Sequence, residues 1–377
     1  MYIENLKVSN FKNYANEELD LCDNVNCFVG NNGAGKTNLL DAVYYLSFCK
    51  SYFSPIDSQN IRQGEDFFAI HGRYRHDQDS FVVSCVQRRG QAKQMRLDKK
   101  NYKAFSEHIG KIPLVIITPS DQSLIIGGSD LRRKFIDGVI SQTDRDYLSH
   151  LLQYQRCLEQ RNRLLKSFYE NRVFDEASLL LWDEQLVMHG VRLLRQRTDF
   201  MHDFIPIFEN YFHSIVSADE HPEISYVSKT MENASADNLD KHFLDLLSEA
   251  RQHDRYAQYT TVGPHKDDIE LLIDGLSVKR YGSQGQQKSF LLALKLAQFE
   301  YIYKVSGIKP ILLLDDVFDK LDMPRVKQLV HLVGSDRFGQ VLLSDTQPGR
   351  VQAIFDEMPL VEHRIFNVEK GTIMKYE

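Results

Sequence analysis

The stretch GNNGAGKT, which begins at Gly30, limits the fold more than any other part of this 377-residue chain. It fits the spacing GxxxxGK[ST] without a mismatch, and Lys36 and Thr37 fill the last two positions. A short apolar run, NVNCFVG, precedes it, and apolar residues follow it at helical intervals in KTNLLDAVYYLSF. A strand, a glycine-rich loop and a helix in this order predict a phosphate-binding loop.

The residue types of this loop predict a bound nucleoside triphosphate, ATP, with Mg²⁺. Glycines let backbone N–H groups approach the β- and γ-phosphates, and Lys36 neutralises their charge, which gives it a catalytic role. Thr37 is the expected hydroxyl ligand of Mg²⁺. The residues predicted to contact the nucleotide are Gly30, Asn31, Asn32, Gly33, Ala34, Gly35, Lys36, Thr37 and Asn38.

A second motif, ILLLDD, predicts a buried strand that ends on two carboxylates. Asp315 is the predicted Mg²⁺ ligand, and it is expected to act through water. Asp316 stands where a general base or water-orienting group is expected, so it is the predicted catalytic carboxylate. A strand end that is merely solvated is the alternative.

The distance between the two motifs predicts the domain organisation. They can share one α/β domain with a parallel core only if the middle of the chain folds aside. Strands are predicted at 67–76, 80–88 and 94–103 as an antiparallel meander, and helical periodicity begins near Leu131. We therefore predict an ATPase head formed by 1–115 and 256–377, with a helical insertion over 116–255.

The stretch YGSQGQQKSF predicts a second anion site, because a serine and a glycine stand directly before a helix. Ser283, Gly285 and Gln286 are its predicted contacts. Since one triphosphate needs only one phosphate loop, we expect this second cradle to close on the γ-phosphate held by a partner subunit. A capped helix with no ligand is the alternative.

Charge is unevenly distributed along the chain. Residues 73–103 carry nine Lys or Arg against three Asp, a balance of +6, whereas the whole chain has a formal net charge of -6. A local basic surface of this kind favours nucleic-acid phosphates, with solvated surface charge as the alternative. The predicted DNA contacts are Arg88, Arg89, Lys93, Arg96, Lys99 and Lys100, and the alternative surface is the insertion around 156–166.

The remaining composition excludes several classes of protein. No apolar run approaches the roughly 18 to 20 residues that cross a bilayer, so we expect a cytoplasmic protein with no membrane partner. Five cysteines show neither a CxxC pair nor a zinc spacing, which predicts reduced, partly buried thiols.

Taken together, the ordered motifs resemble the ABC-type ATPase heads of the SMC-like DNA repair proteins, and among them most closely the RecF family of recombination mediators. The resemblance rests on NLKVSNFKNY, the phosphate loop, TPSDQSLIIGGSDLRRKFID, GPHKDD, SQGQQKSFLLALKLA and LLLDDVFDKLD. It implies that Ser283–Gln287 is the signature motif and that Phe318–Asp322 is the D-loop. The sequence departs from the family pattern in three places. Gln284 replaces one of two adjacent glycines of the signature motif, Asp316 replaces glutamate, and 345–347 read Asp-Thr-Gln where a switch histidine is expected.

The same resemblance implies a function. Such a protein is a weak DNA-dependent ATPase that forms an ATP-dependent homodimer on double-stranded DNA and at junctions between single and double strands. Slow hydrolysis then releases it, so that ATP serves as a clamp and timer. The implied partners are RecR and RecO, which together help to load RecA.

Other readings of the motifs remain open at this point. Another SMC-like head would carry long heptad repeats, and an overcoming-lysogenization type nuclease would carry an acidic metal-binding C-terminal domain. A small-molecule kinase would need an acceptor pocket and a lid. Four residues have both a ligand-binding and a structural interpretation: Arg132, Arg133, His265 and Lys266.

Overall fold

The computed structural model describes residues 1–216, 219–235, 237–318, 337–350, 353 and 362–375. The chain forms two compact units. Unit 1 combines Met1–Asp121 with Leu294–Glu377, and unit 2 is Gln122–Ala293. The predicted boundary at 255/256 falls inside unit 2, because a small sheet there pairs residues from both sides of it.

The N-terminal part of unit 1 alternates between two sheets. Its six antiparallel strands run in the order β2-β1-β4-β5-β6-β7, whereas β3 and β8 belong to a second, mainly parallel sheet. The elements are β1 (Tyr2–Phe11), β2 (Tyr14–Asp20), β3 (Val25–Val29), α1 (Lys36–Phe48), β4 (Phe67–His76), β5 (Asp79–Arg88), β6 (Gln94–Leu97), β7 (Lys100–Asn101) and β8 (Leu114–Ile117).

Unit 2 is mostly helical and contains one small antiparallel sheet, β11-β10-β9. The two longest helices of this unit each begin directly after an aspartate. Asp144 and Asp175 cap them, because each carboxylate accepts a hydrogen bond from a backbone N–H of the first turn. The elements are α2 (Ser123–Ile126), α3 (Ser129–Thr143), α4 (Arg145–Asn171), α5 (Glu176–Ile215), β9 (Pro222–Val227), α6 (Leu239–Ala257), β10 (Asp268–Ile273), β11 (Leu276–Ser277), α7 (Val278–Tyr281) and the first part of α8 (Gln284–Ser306). From Leu294 onward, α8 belongs to unit 1.

The C-terminal strands complete the second sheet of unit 1. They are β12 (Ile311–Leu314), β13 (Val341–Asp345), β14 (His363–Glu369) and β15 (Thr372–Lys375). The strand order is β15-β14-β3-β13-β12-β8, and only the β14–β15 pair is antiparallel. Every residue of β3, β8, β12 and β13 is buried, as expected for parallel strands covered on both faces.

Several predictions about elements need correction or completion. The strand predicted over 94–103 is a hairpin, because Asp98 and Lys99 both adopt positive φ and turn the chain between β6 and β7. Helix α6 and the β14–β15 hairpin were not predicted. The stretch MPRVKQLVHLVG at 323–334, whose periodicity predicts a helix, lies outside the described residues. All five cysteines are buried free thiols, as expected.

Candidate nucleotide-binding site

The phosphate loop lies between the carboxyl end of β3 and the first turn of α1. Gly33 and Gly35 have φ values of 78° and 125°, which L side chains rarely adopt. A Cβ at Gly35 would also lie 2.5 Å from Asn13 Nδ2. Glycine is therefore required at position 35 both by the backbone conformation and by the neighbouring turn.

Lys36 lies folded over this loop and is only 3% exposed. Its Nζ donates to the carbonyl oxygens of Gly30, at 2.8 Å, and Asn31, at 3.1 Å. Both acceptors are neutral carbonyls, so no anion among these contacts matches the positive charge of the Lys36 ammonium. The side chain is placed to meet a phosphate that enters the loop.

A cluster of three oxygen-bearing side chains joins the loop to the strands beside it. Thr37 Oγ1 and Ser344 Oγ each donate to Asp315 Oδ1 at 2.8 Å. Parallel pairing of β12 with β13, and of β13 with β3, brings the carboxyl ends of these strands to one edge. Burial raises the pKa of Asp315, and hydrogen bonds from Ser344 and Thr37 partly offset that effect.

The cluster fits Mg²⁺. Thr37 Oγ1 donates its proton to Asp315 Oδ1, so the hydroxyl oxygen keeps a lone pair for a metal ion, and the carboxylate lies where it can accept from a metal-bound water. Within the described residues, no group of three or more His, Cys, Asp or Glu side chains could hold a metal ion. A hydroxyl and one carboxylate suit an ion that takes its other ligands from phosphate and water.

Asp316 follows directly and adopts a positive φ of 45°, a conformation that Asp tolerates better than most residues. Its backbone N–H donates to Ser344 Oγ at 2.9 Å. Ser344 thus holds both aspartates of the ILLLDD motif, although the sequence analysis did not single it out. The catalytic role of Asp316 stays a prediction.

Two further residues contact the loop from the β1–β2 turn, and sequence reasoning missed them as well. Asn13 Nδ2 donates to the carbonyl of Ala34 at 2.9 Å, and Tyr14 Oη donates to the carbonyl of Gly35 at 3.1 Å. Asn38, predicted to contact nucleotide, donates instead to Asn13 Oδ1 at 2.7 Å in this structure. The sequence signal for these residues was their position in NFKNY, at the end of the strand that alternation predicts over YIENLKVSNFKNY. Asn32 and Gly33 are exposed at the loop tip.

The stretch where a switch histidine was expected contains a buried ion pair. Asp345 accepts from Arg350 Nη2 at 2.7 Å and from the backbone N–H of Gln347, also at 2.7 Å. Its carbonyl accepts from the N–H of Gly30 at 3.2 Å. Asp345 therefore supports the start of the phosphate loop through its backbone, while its carboxylate is neutralised by arginine.

The signature-like turn lies in unit 2 and forms a reciprocal capping box. Ser283 Oγ accepts from the N–H of Gln286 at 3.2 Å, and Gln286 Oε1 accepts from the N–H of Ser283 at 2.8 Å. A hydroxyl that accepts in this way keeps its own proton available for donation. Gly285 is the second residue of this helix, so its N–H has no acceptor within the helix and is directed out of the helix N-terminus. The predicted D-loop lies outside the described residues from position 319 onward.

Of the predicted DNA contacts, Lys93 is wrong. Its side chain is 9% exposed, and Nζ forms an ion pair with Asp57 at 2.7 Å and donates to the Cys49 carbonyl at 2.6 Å. A buried, neutralised ammonium is not available to a phosphate. The other predicted contacts are exposed: Arg88, Arg89, Arg96, Lys99 and Lys100.

The residues with two interpretations are structural in most cases. Arg132 forms a two-pronged ion pair with Asp268, and Arg133 donates to the carbonyl of Asp267. His265 Nε2 bonds to the Thr260 carbonyl at 3.0 Å, so its Nδ1 accepts from Tyr154 Oη at 2.7 Å. Lys266 is exposed and lies 4.7 Å from the centre of the Tyr259 ring.

A P-loop followed by an aspartate-ended strand, in a mainly parallel sheet flanked by an antiparallel sheet, defines an ABC-type ATPase head. The family model RecF/RecN/SMC N terminal domain matches residues 2–365. The Smc head bound to the C-winged helix domain of ScpA has the same fold, with a TM-score of 0.57 at 15% identity over 100% of this chain and 97% of that one.

Relatives with higher identity narrow this class. The DNA replication and repair protein RecF of Flavobacterium johnsoniae is 46% identical over 98% of this chain and 100% of its own length. The protein of the same name from Phocaeicola vulgatus is 45% identical over 99% and 98%. The solved structure of the recombination mediator protein RecF-ATP in the RecFOR pathway matches with a TM-score of 0.91 at 29% identity, covering 100% of this chain and 98% of that one. The chain belongs to the RecF family.

The predicted fold class and the resemblance to this family are thereby confirmed. None of the helices that the structure describes is long and apolar enough to cross a membrane.

Proposed function

We propose that this protein is an ATP-dependent DNA-binding protein of recombinational repair, in which ATP and Mg²⁺ join two copies of the chain on DNA. The observation that carries the proposal is the hydrogen-bonded cluster of Thr37, Asp315 and Ser344 beside Lys36. This cluster presents a cation and two metal-ligating oxygens to one phosphate loop. Solved RecF-ATP relatives support ATP as the nucleotide.

Hydrolysis requires a water positioned against the γ-phosphate. Asp316 follows the metal-binding carboxylate, and its backbone is held by Ser344. We assign it the role of orienting and deprotonating that water. Because aspartate is one methylene shorter than the usual glutamate, turnover is slow and ATP serves as a timer for release from DNA.

The second copy enters through the signature-like turn. The capping box holds Ser283 with its hydroxyl proton free, and Gly285 supplies an N–H in the first turn of α8. These donors suit the γ-phosphate bound by a partner subunit. Two subunits thus enclose two nucleotides, and the dimer lasts as long as the triphosphate.

The DNA surface that we propose is the exposed face of the antiparallel sheet β2-β1-β4-β5-β6-β7. Strand register pairs Lys7 with His71, His71 with Ser84 and Ser84 with Arg96, and directly paired residues share a face. Burial lowers the pKa of His71, and the nearby charges of Lys7 and Arg96 lower it further, in agreement with this shared face. By the same alternation, Arg73 and Arg88 lie on this face of neighbouring strands.

Unit 1 thus presents an arginine from each of β4, β5 and β6 on one exposed face, bordered by Arg89, Lys99 and Lys100. Such a strip tracks phosphates without reading bases, which suits gapped DNA and junctions of variable sequence. The RecFOR pathway named for the solved relative supports RecO and RecR as the partners that we propose. We further propose that the three proteins together help to load RecA.

Gel filtration with and without ATP and Mg²⁺ tests the dimer. At an ATP concentration that just saturates the wild type, we expect the wild type to shift to twice its mass. Lys36→Met should stay monomeric because it binds ATP much more weakly, and Ser283→Arg should bind ATP yet stay monomeric. Asp316→Asn should accumulate as an ATP-bound dimer. Normal dimerisation of the Ser283 variant would contradict the model.

The DNA surface is tested by the salt dependence of binding in the presence of ATP. Changing Arg73, Arg88 and Arg96 to alanine should reduce the slope of log K against log salt by about three, one for each phosphate contact. The matched control changes Arg156, Arg163 and Lys166, three exposed cations of α4. If only the control variant lowers the slope, the DNA surface lies on the helical unit instead.

A further inference from the structure

The phosphate loop is held from behind by a turn that belongs to neither of its flanking elements. This turn joins β1 to β2, and it contributes two side-chain hydrogen bonds, one from Asn13 and one from Tyr14. They reach two consecutive carbonyls of the loop, Ala34 and Gly35. A third bond, from the N–H of Gly371 in the β14–β15 turn, also reaches Ala34 at 2.9 Å.

The geometry of the peptide unit gives these bonds a consequence for ligand binding. In a planar trans peptide, the C=O of one residue and the N–H of the next point in opposite directions. Holding the Ala34 carbonyl against Asn13 therefore turns the Gly35 N–H away from that turn. Holding the Gly35 carbonyl against Tyr14 does the same for the N–H of Lys36.

These two N–H groups are donors that a phosphate loop uses to bind a β-phosphate. We propose that Asn13 and Tyr14 are positioning residues for nucleotide binding, which aim the N–H groups of Gly35 and Lys36 at the phosphates before the nucleotide arrives. The inference rests on the proposed nucleotide site, and it adds residues that lie outside both the phosphate loop and the ILLLDD motif.

The surroundings of both side chains leave them a single hydrogen-bonding arrangement. Asn38 Nδ2 donates to Asn13 Oδ1 at 2.7 Å, which leaves the Asn13 amide nitrogen to face the Ala34 carbonyl, an acceptor only. Tyr14 is fully buried, and burial raises the pKa of its phenol, with the charge of Glu17 adding to the effect. The hydroxyl consequently stays protonated and donates throughout the neutral pH range.

The space around the turn supports the same conclusion. A Cβ at Gly35 would lie 2.5 Å from Asn13 Nδ2 and 2.8 Å from Tyr14 Oη, and a Cβ at Gly371 would lie 2.6 Å from the Asn13 carbonyl oxygen. Glycine at 35 and 371 thus permits the close approach of the turn. The contact is built from both sides, which a chance surface contact would not require.

The test compares two tyrosine-to-phenylalanine variants, each of which removes a single buried hydroxyl. Tyr14→Phe removes the bond to the Gly35 carbonyl. Tyr74→Phe is the matched control. Tyr74 lies in β4 of the antiparallel sheet and is also fully buried, and its hydroxyl has no hydrogen-bond partner among the described residues. The probe is ADP binding measured by calorimetry, since ADP carries the β-phosphate and does not depend on dimerisation.

We expect Tyr14→Phe to bind ADP about three- to tenfold more weakly than the wild type, as the loss of one aiming hydrogen bond predicts. Asn13→Ala should weaken ADP binding to a similar degree, and Tyr74→Phe should leave it unchanged. The melting temperature without nucleotide measures the structural cost of each variant, which we expect to be modest for Tyr14→Phe because one buried hydrogen bond is lost. The increase in melting temperature on adding ADP should be smaller for Tyr14→Phe than for the wild type and unchanged for Tyr74→Phe.

Wild-type affinity in Tyr14→Phe would overturn the inference, and so would an equal loss in Tyr74→Phe, which would indicate general loosening of the sheet. If the wild type itself bound no ADP, the proposed nucleotide site would fail and the inference with it. If ADP binding followed the expected order but ATP produced no dimer, only the dimer model would fail.

Discussion

The nucleotide site of unit 1 and the core of unit 2 accommodate buried charged side chains in different ways. At the nucleotide site of unit 1, the contacts of Lys36 and Asp315 are carbonyls and hydroxyls, which are neutral. In unit 2, Arg161 is fully buried and forms ion pairs with Asp183 and Asp254, both at 2.6 Å. The first arrangement leaves the charges to be matched by a ligand, whereas the second matches them within the protein.

The same contrast appears at a second arginine of unit 2. Arg197 forms an ion pair with Asp137 at 2.8 Å and donates to the Pro264 carbonyl at 2.8 Å. Such closed networks are costly to break, because removing one partner leaves the other charge buried and uncompensated. The comparison teaches that a buried charge is evidence for a ligand site only when its partners are neutral.

The largest expected effect comes from breaking the closed network. Arg161→Met should lower the stability of unit 2 by about 3 to 5 kcal/mol, because Asp183 and Asp254 lose their counter-charge. Trp182, the only tryptophan of the chain, lies on α5 and reports unfolding of this unit by its fluorescence. If Arg161→Met unfolded in urea at the wild-type midpoint, the Arg161 ion pairs would not stabilise unit 2, and the contrast with the nucleotide site would fail.

Acid should weaken the same network at a histidine that borders it. Burial lowers the pKa of His265 to about 4, and its Nε2 bonds to the carbonyl of Thr260, whose hydroxyl accepts from Arg161. The unfolded chain binds a proton near pH 6.5, so stability is fully present above that pH and falls as the pH drops to about 4. The loss is on the order of 3 kcal/mol.

This acid effect is checked by urea unfolding of unit 2 between pH 7 and pH 4.5, followed through Trp182 fluorescence. His265→Gln, which cannot titrate, should flatten the pH dependence over this window. A variant with the same slope as the wild type would assign the acid sensitivity to other groups.

At the nucleotide site, charge removal should cost ligand binding and spare the fold. Lys36→Met should weaken ATP binding about tenfold to a hundredfold, the range expected for a lost charge-assisted hydrogen bond, while thermal stability without nucleotide changes little. Calorimetric titration with ATP and a thermal melt of the free protein measure the two quantities. A large loss of stability would instead indicate that Lys36 has a structural role, like the buried arginines of unit 2.

The smallest effect is expected from a neutral replacement of Asp315, the predicted metal-binding carboxylate. Burial raises the pKa of Asp315, which means that the site disfavours its charge, and Asn would still accept from Thr37 and Ser344. Asp315→Asn should therefore change the stability of the free protein by less than about 1 kcal/mol and abolish the Mg²⁺ dependence of ATP binding. Burial raises the pKa of Asp183 in unit 2 as well, so the contrast depends on the partner rather than on the carboxylate. Asp183→Asn should destabilise more, since it removes one of the two counter-charges of the fully buried Arg161.

Much of the site was predictable because its signals are local. The phosphate loop, Lys36 and Thr37 depend on a strand, a turn and a helix start that are contiguous in sequence. The run ILLL predicted a buried strand, and its carboxyl end placed Asp315 correctly beside Thr37. The meander was predicted from alternation of polar and apolar residues, which is also local.

Other contacts depended on residues far apart in the chain. Ser344 reaches Asp315 only because β13 lies between β3 and β12, an order that alternation within a strand does not specify. Lys93 belongs to a strongly basic stretch, yet it forms a partly buried ion pair with Asp57, 36 residues earlier in the chain. Charge counted along a sequence cannot show which charges are paired in space.

The sequence by itself therefore determined where a phosphate can bind, since backbone conformation and residue type fix a phosphate loop within a few positions. Tertiary structure decided what holds that loop in its binding shape. Asn13 and Tyr14 lie more than 20 residues before the carbonyls they hold, and Gly371 lies more than 300 residues after them. Hydrogen bonds act over about 3 Å in space regardless of separation along the chain, so only the packed strands bring these three residues to the loop.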